Sequence, residues 1–287
     1  MRELTKKAPA KLNLTLDILR RREDGYHEMK MVMQTISLCD TVSVWVDTGS
    51  GKTIVRTDNA ALPDGPENIA YKAAAAFYAA TGMENTGTEI LVEKHIPFCA
   101  GMAGGSADGA AVLHALRELT GIALPDRRLE EIGGTFGSDV PFCVRGGTAL
   151  AEGRGEVLTT LPSMPACWIA VCKPDFDLPT PALFHRVQVD KICRRPDTEK
   201  MTVALSNGNL SAVAAELGDV FEEFLLPEER IKIDGIKKTM LNCGALNAAM
   251  TGSGPTVFGL FDRESKAQQA VEVLRAVYSQ TFLAQPI

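Results

Sequence analysis

Residues 94–111 read Lys94-His95-Ile96-Pro97-Phe98-Cys99-Ala100-Gly101-Met102-Ala103-Gly104-Gly105-Ser106-Ala107-Asp108-Gly109-Ala110-Ala111. The stretch passes from a strand end through a glycine-rich turn into the start of a helix. Glycines at 101, 104 and 105 remove the side chains that would keep a ligand off the backbone, and the first helical turn aims unpaired N–H groups at the same spot. That is an anion site, with phosphate its natural occupant. The spacing excludes a P-loop, because no lysine follows Gly105, and it fails the Gly-x-Gly-x-x-Gly dinucleotide fingerprint. Taken alone, the loop could also be a tight turn whose Ala110 and Ala111 pack a helix closely, so other segments have to decide.

The chain has 287 residues, enough for one large or two ordinary domains with real cores. With 45% hydrophobic and 23% charged residues it has the composition of a soluble globular protein. No run of about 18 uncharged apolar residues occurs, so no membrane span is expected. The N-terminus, Met1 to Lys7, carries no apolar signal segment, which predicts a cytoplasmic location. The seven cysteines are odd in number and scattered, which predicts reduced thiols. No Cys-x2-Cys is present and the four histidines lie far apart, so no protein metal site is expected. A net charge of −6 argues against nucleic-acid binding, while a small anion can still be held by local backbone donors.

Leu12, Leu14, Leu16 and Ile18 alternate with Lys11, Asn13, Thr15 and Asp17, the period of a half-buried strand with Lys11 and Asn13 on one face. A basic turn, Arg20 to Gly25, leads to further extended segments at Met31–Leu38 and Val42–Val46. Helices are expected over Asn68–Thr81, stopped by Gly82, over Ser106–Thr120, stopped by Gly121, and over Leu129–Phe136. Asp139 falls near the N-cap of a short helix opened by Gly137-Ser138-Asp139-Val140-Pro141-Phe142. Pro162 to Pro165 is the best linker. Beyond it, strands are expected at Cys167–Cys172, Ala245–Met250 and Thr256–Phe261, with helices at Leu210–Leu226, Ile231–Cys243 and Glu264–Tyr278. Mixed element order points to α+β.

Three separated segments then fall in one order: Pro9-Ala10-Lys11-Leu12-Asn13-Leu14, the glycine loop, and Thr251-Gly252-Ser253-Gly254-Pro255-Thr256. Together they resemble the GHMP kinases. Asp24-Gly25-Tyr26-His27, Gly137 to Phe142 and Pro179-Thr180-Pro181 extend the likeness, from about residue 8 to about residue 261, to members that phosphorylate a cytidine diphosphate ester of methylerythritol on its 2-hydroxyl. Those members act in the non-mevalonate route to isoprenoid precursors. The resemblance implies a two-domain α+β fold: an N-terminal ribosomal-protein-S5-like domain over 1–163, a ferredoxin-like domain over 164–287, and an active site in the cleft between them. It also implies ATP, with Mg²⁺ held mainly through ATP phosphates, a small-molecule substrate, and a monomer or homodimer.

Residue by residue, the resemblance gives Lys11 and Asp139 the catalytic roles. Pro97, Ala100, Gly101, Met102, Ala103, Gly104, Gly105 and Ser106 would hold the ATP phosphates, with Asn68 and Lys94 near the adenine. Asn13, Thr180, Gly252 and Ser253 would surround the polyol and diphosphate, and Tyr26 and Phe184 would sandwich a cytosine hydrogen-bonded by His27. Physical chemistry gives the first pair sense, because phosphoryl transfer needs charge stabilisation and an acceptor for the hydroxyl proton. Residue type alone also allows plainer roles: Asp139, Ser106 and Asn68 as helix N-caps, Lys11 and Lys94 as exposed strand charges, Tyr26 and Phe184 as core aromatics. Met33 stands where some members carry an aromatic near the substrate. Two other functions stay open, namely a mevalonate or homoserine kinase of the same superfamily, and a non-catalytic ATP-binding sensor.

Overall fold

The alternation at Leu12–Ile18 belongs to a much longer strand, β1 (Arg2–Arg21), in the computed structural model, which describes all residues from Met1 to Ile287. The strand is not half-buried: Lys11, Asn13, Thr15 and Asp17 are as buried as the leucines between them. A second strand, β2 (His27–Val46), joins the two extended stretches expected separately. Asp40 does not interrupt it, because its wholly buried carboxylate accepts the backbone N–H groups of His95 and Ile96.

Two compact units form from interleaved segments. The first comprises Met1–Ala10, Cys39–Ile96 and Ala103–Gly146; the second comprises Lys11–Leu38, Pro97–Met102 and Gly147–Ile287. The expected linker at Pro162–Pro165 therefore runs inside the second unit.

The first unit carries β3 (Thr53–Thr57), α1 (Ile69–Thr81), β4 (Thr88–Glu93), α2 (Gly104–Thr120), α3 (Asp126–Gly134) and α4 (Val140–Arg145). Thr41–Val46 of β2 pairs antiparallel with β4, and β3 joins β4 in parallel. Local signals explain α1: the Asn68 side chain accepts the Ala70 N–H at 2.8 Å, and Gly82 closes the helix at φ 67°. Such a cap is worth about 1 kcal/mol. Small residues let α1 and α2 approach, and a Cβ at Gly109 would lie 3.1 Å from Phe136 Cε2. The third helix ends before Phe136, as Pro125 moves its start forward to Asp126.

In the second unit, Met29–Gln34 of β2 pairs antiparallel with β5 (Thr148–Gly153), which forms a hairpin with β6 (Val157–Thr160). The chain continues through β7 (Trp168–Cys172), α5 (Thr180–Arg186), α6 (Thr198–Ser206) and α7 (Leu210–Ala215). The long helix expected over Leu210–Leu226 breaks here. Gly218–Asp219 become a short strand, β8, paired in parallel with Thr15 and Leu16, and Val220–Phe224 form a 3-10 turn. Next come α8 (Pro227–Asn242), β9 (Asn247–Met250), β10 (Val257–Phe261), α9 (Glu264–Arg275) and β11 (Thr281–Ala284). Strands β11-β7-β10-β9 make an antiparallel sheet on which α8 and α9 pack, the β-α-β-β-α-β arrangement of a ferredoxin-like layer. No helix is long and apolar enough to cross a membrane.

Candidate active site

The glycine loop carries unusual backbone angles. Cys99, Gly101 and Ala103 have φ of 49°, 70° and 57°, and two of these three are not glycine. Left-handed conformations at non-glycine residues are uncommon and mark a chain held for a purpose. Beyond them, α2 starts with no side-chain cap and no acidic residue in its first turn, so its leading N–H groups keep their positive end for an anion. Gly105 is exposed there, and a Cβ on it would meet only Ile69 Cγ2, at 3.4 Å. Gly105→Val should therefore fold. If the loop holds the nucleotide's phosphates as the resemblance implies, the branched side chain blocks approach to the backbone N–H, and losing one hydrogen bond to a charged phosphate, about 1.5–3 kcal/mol, should weaken ATP roughly ten- to a hundredfold, read by calorimetric titration. At Gly104 the same change would press on Ile96 Cγ2 (3.1 Å) and disturb packing as well.

Within the second unit the three motifs meet. Lys11 Nζ donates to Asn13 Oδ1 at 2.6 Å and to the Gly101 carbonyl at 2.9 Å, while the Asn13 N–H donates to Thr251 Oγ1 at 2.8 Å. A Cβ on Gly101 would collide with the Thr251 carbonyl and lie 2.9 Å from Gly254 N. One on Gly252 would lie 3.2 Å from both Lys11 Nζ and Asn13 Oδ1. Only glycines permit this approach, which also turns Lys11 inward instead of leaving it a solvated strand charge. Thr180 and Ser253 share a hydroxyl hydrogen bond of 2.7 Å. Asp219, which drew no attention as sequence, is buried nearby. Burial pushes its carboxyl well above the usual range and Glu222 adds to this, against the Phe221 N–H, the Lys11 charge and the Gly252 N–H.

In the first unit, Asp139 occupies the N-cap position of α4 without a side-chain cap bond. Its turn lies against the start of α2, for a Cβ on Gly137 would sit 3.8 Å from Ser106 Oγ. Asn68 caps α1 and donates to the Pro63 carbonyl at 2.7 Å. The Lys94 ammonium is enclosed by Asp40 and Asp108 rather than exposed. No cluster of three or more His, Cys, Asp or Glu residues gathers to hold a metal, and all seven cysteines are free thiols.

The aromatic residues named for substrate binding lie in the second unit. His27 stacks on Phe184 at 5.1 Å between ring centroids, Phe221 meets Phe184 edge-on at 4.9 Å, and Arg154 lies 5.1 Å from the exposed Tyr26 ring. Burial, helped by the Arg21 charge, holds His27 below its ordinary pKa, so the imidazole is neutral at physiological pH. His27 also lines an open depression with Arg20, Arg21, Gln188 and Asp190. The arginines give that depression a cationic rim, and the basic run Arg20-Arg21-Arg22 was its one visible sign in the sequence. Met33 is fully buried.

Comparison with known proteins follows the same lines. The GHMP kinases N terminal domain matches residues 68–147, and the GHMP kinases C terminal domain matches residues 201–280. A 4-diphosphocytidyl-2-C-methyl-D-erythritol kinase of Geobacter sulfurreducens is 42% identical over 276 residues, covering 96% of each chain. One of Listeria innocua is 41% identical over 279 residues, 97% of this chain and 94% of the relative. A crystal structure of 4-(cytidine 5'-diphospho)-2C-methyl-D-erythritol kinase superposes with a TM-score of 0.81 at 32% identity over 99% of both chains. Likeness of this extent, with both domains in order and hardly any residue of either partner left over, means that the chain belongs to the 4-diphosphocytidyl-2-C-methyl-D-erythritol kinase family of the GHMP kinases.

Proposed function

We propose that the protein transfers the γ-phosphoryl group of ATP to the 2-hydroxyl of 4-diphosphocytidyl-2-C-methyl-D-erythritol, in the methylerythritol route to isoprenoid precursors. The observation that carries this reading is the convergence of Lys11, Asn13, Gly101 and Thr251, residues from three distant motifs joined by hydrogen bonds. In the reaction the substrate oxygen attacks the γ-phosphorus, the bond to the bridging oxygen breaks, and ADP leaves. Asp139 accepts the hydroxyl proton. Lys11, held in place by Asn13 and the Gly101 carbonyl, supplies positive charge as charge spreads over the transferring oxygens. Gly101 to Ser106 cradle the phosphates with backbone donors. Mg²⁺ would enter with ATP, held mainly through its phosphates, and would neutralise phosphate charge; the Ser106 hydroxyl in the first turn of α2 is the oxygen donor that would meet a phosphate or the ion.

Substrate choice falls to Tyr26, His27 and Phe184, with Thr180 and Ser253 toward the diphosphate and polyol. Stacking beyond simple burial is worth about 0.5–1.5 kcal/mol per aromatic pair, so Tyr26→Ala should raise the KM for the cytidine substrate several-fold and leave that for ATP unchanged. Phe184→Ala should do the same and also lower Tm, because Phe184 packs on Phe221. Steady-state kinetics on both substrates read the two effects. The assignment itself is tested by offering the purified protein labelled ATP with the cytidine compound, mevalonate, homoserine or galactose. Phosphorylation of the first alone is expected. Turnover of mevalonate or homoserine with the cytidine compound inert would overturn the substrate, and ATP binding with no turnover would favour a sensor.

A further inference from the structure

Three ionisable side chains to which the proposed chemistry gives no step lie together beside the first turn of α2. Asp40, in the middle of β2, is wholly buried; its Oδ1 accepts two consecutive N–H groups, from His95 at 2.5 Å and Ile96 at 2.8 Å. Its Oδ2 takes the Lys94 ammonium, which also reaches Asp108 Oδ2 on α2 at 2.6 Å. A single cation thus ties β2, the end of β4 and α2 together. The first residue of α2 rests on this knot, for a Cβ on Gly104 would lie 3.4 Å from Lys94 Nζ.

The arrangement is a costly way to build a core. Asp108 Oδ1 is buried with no hydrogen-bond partner. Two carboxylates share one ammonium, and well-packed apolar residues in place of a buried ion pair are often no less stable. Position and charge account for it better. A bare carboxylate in the second turn of α2 would oppose an anion at the helix N-terminus, and Lys94 cancels that field. Burial, reinforced by Asp40 and opposed by Lys94, pushes the Asp108 carboxyl up to about 7. Lys94 in turn is held above its ordinary value: burial alone would lower it, but the Asp108 and Asp40 charges prevail. We infer that Lys94, Asp40 and Asp108 form a positioning triad that sets the first turn of α2 and the chain leading into the glycine loop, and so governs affinity for the nucleotide's phosphates without touching them, an inference that rests on the ATP-dependent reading above.

The test is to measure kcat and both KM values in Lys94→Met, Asp108→Ala and Asp108→Asn, with GTP as a second donor and ADP binding by calorimetry. Lys94→Met and Asp108→Ala should raise the KM for ATP and the Kd for ADP by about tenfold or more, with the KM for the cytidine substrate unchanged within about twofold. Asp108→Asn, which keeps the side chain's shape and an oxygen to accept the Lys94 ammonium, should restore affinity to within about threefold of the parent. The preference for ATP over GTP should stay constant throughout. Folded variants with lowered Tm but parental ADP affinity would reduce the triad to a structural brace. Loss of ATP-over-GTP preference in Lys94→Met alone would instead make Lys94 a base contact, and either result overturns the inference. If a truncation does not fold, Asp40→Asn carries the same expectation, a rise of about fivefold or more in the Kd for ADP, and no rise overturns it. ADP binding needs no acceptor, so a parent protein inert toward the cytidine compound would sink the substrate reading while this measurement still decides the triad.

Discussion

Asp139→Asn is expected to lower kcat by about 10²–10⁴-fold, the usual contribution of a positioned general base, with the KM for ATP and for the cytidine substrate within a few-fold of the parent. The amide keeps the size of the carboxylate but cannot take the hydroxyl proton. Folding should be spared, because asparagine keeps the side chain's size and an oxygen that accepts hydrogen bonds. A second consequence separates this role from simple capping. An asparagine caps a helix about as well as an aspartate, so a capping residue would show near-parental turnover in the variant. Single-turnover measurement at saturating ATP reads the chemical step directly, and near-parental rates there would remove Asp139 from the mechanism.

Lys11→Met should lose on the order of 10²–10³-fold in kcat, the scale seen when one preorganised group that stabilises transition-state charge is removed. The methionine fills the same buried space, but Asn13 Oδ1 and the Gly101 carbonyl lose their donor. An acceptor left unpaired in a buried site costs about 1–3 kcal/mol, so this variant, unlike Asp139→Asn, should also melt measurably lower. The two effects are separable. If the rate loss came only from loosening of the Gly101 and Gly252 turns, ADP affinity would fall with it, whereas loss of charge stabilisation leaves ADP affinity within a few-fold. Calorimetry with ADP beside steady-state kinetics distinguishes them, and near-parental kcat in Lys11→Met would end the catalytic assignment.

Local chemistry was the legible part of the fold. Asn68 and Gly82 bracket α1 as an N-cap and a left-handed stop, and Gly121 ends α2, because each acts through its own φ or a side chain within two residues. Failures occurred where a distant segment overrode the local pattern. Asp40 and the polar residues of β1 look like interruptions or exposed positions, yet they are buried because partners far along the chain satisfy them. The helix expected over Leu210–Leu226 has good periodicity but gives way where Gly218 and Asp219 pair with β1, some two hundred residues earlier.

The candidate site divides in the same way. Gly101, Gly104, Gly105, Gly252 and Gly254, with Lys11, Asp139 and the Asp24-Gly25-Tyr26-His27 string, carried the resemblance that pointed to the family, while the glycines on their own showed only where the backbone can approach closely. Which charges meet was not encoded locally. Lys94, placed near the adenine by resemblance or else an exposed strand charge by residue type, is instead enclosed in an ion pair with Asp40 and Asp108. His27 stacks on Phe184, and Lys11 turns into the protein to meet Gly101. Tertiary structure decided these pairings because burial removes water as a competing partner, and a charged or polar group without water is stable only where folding brings it a partner, whatever the distance along the chain.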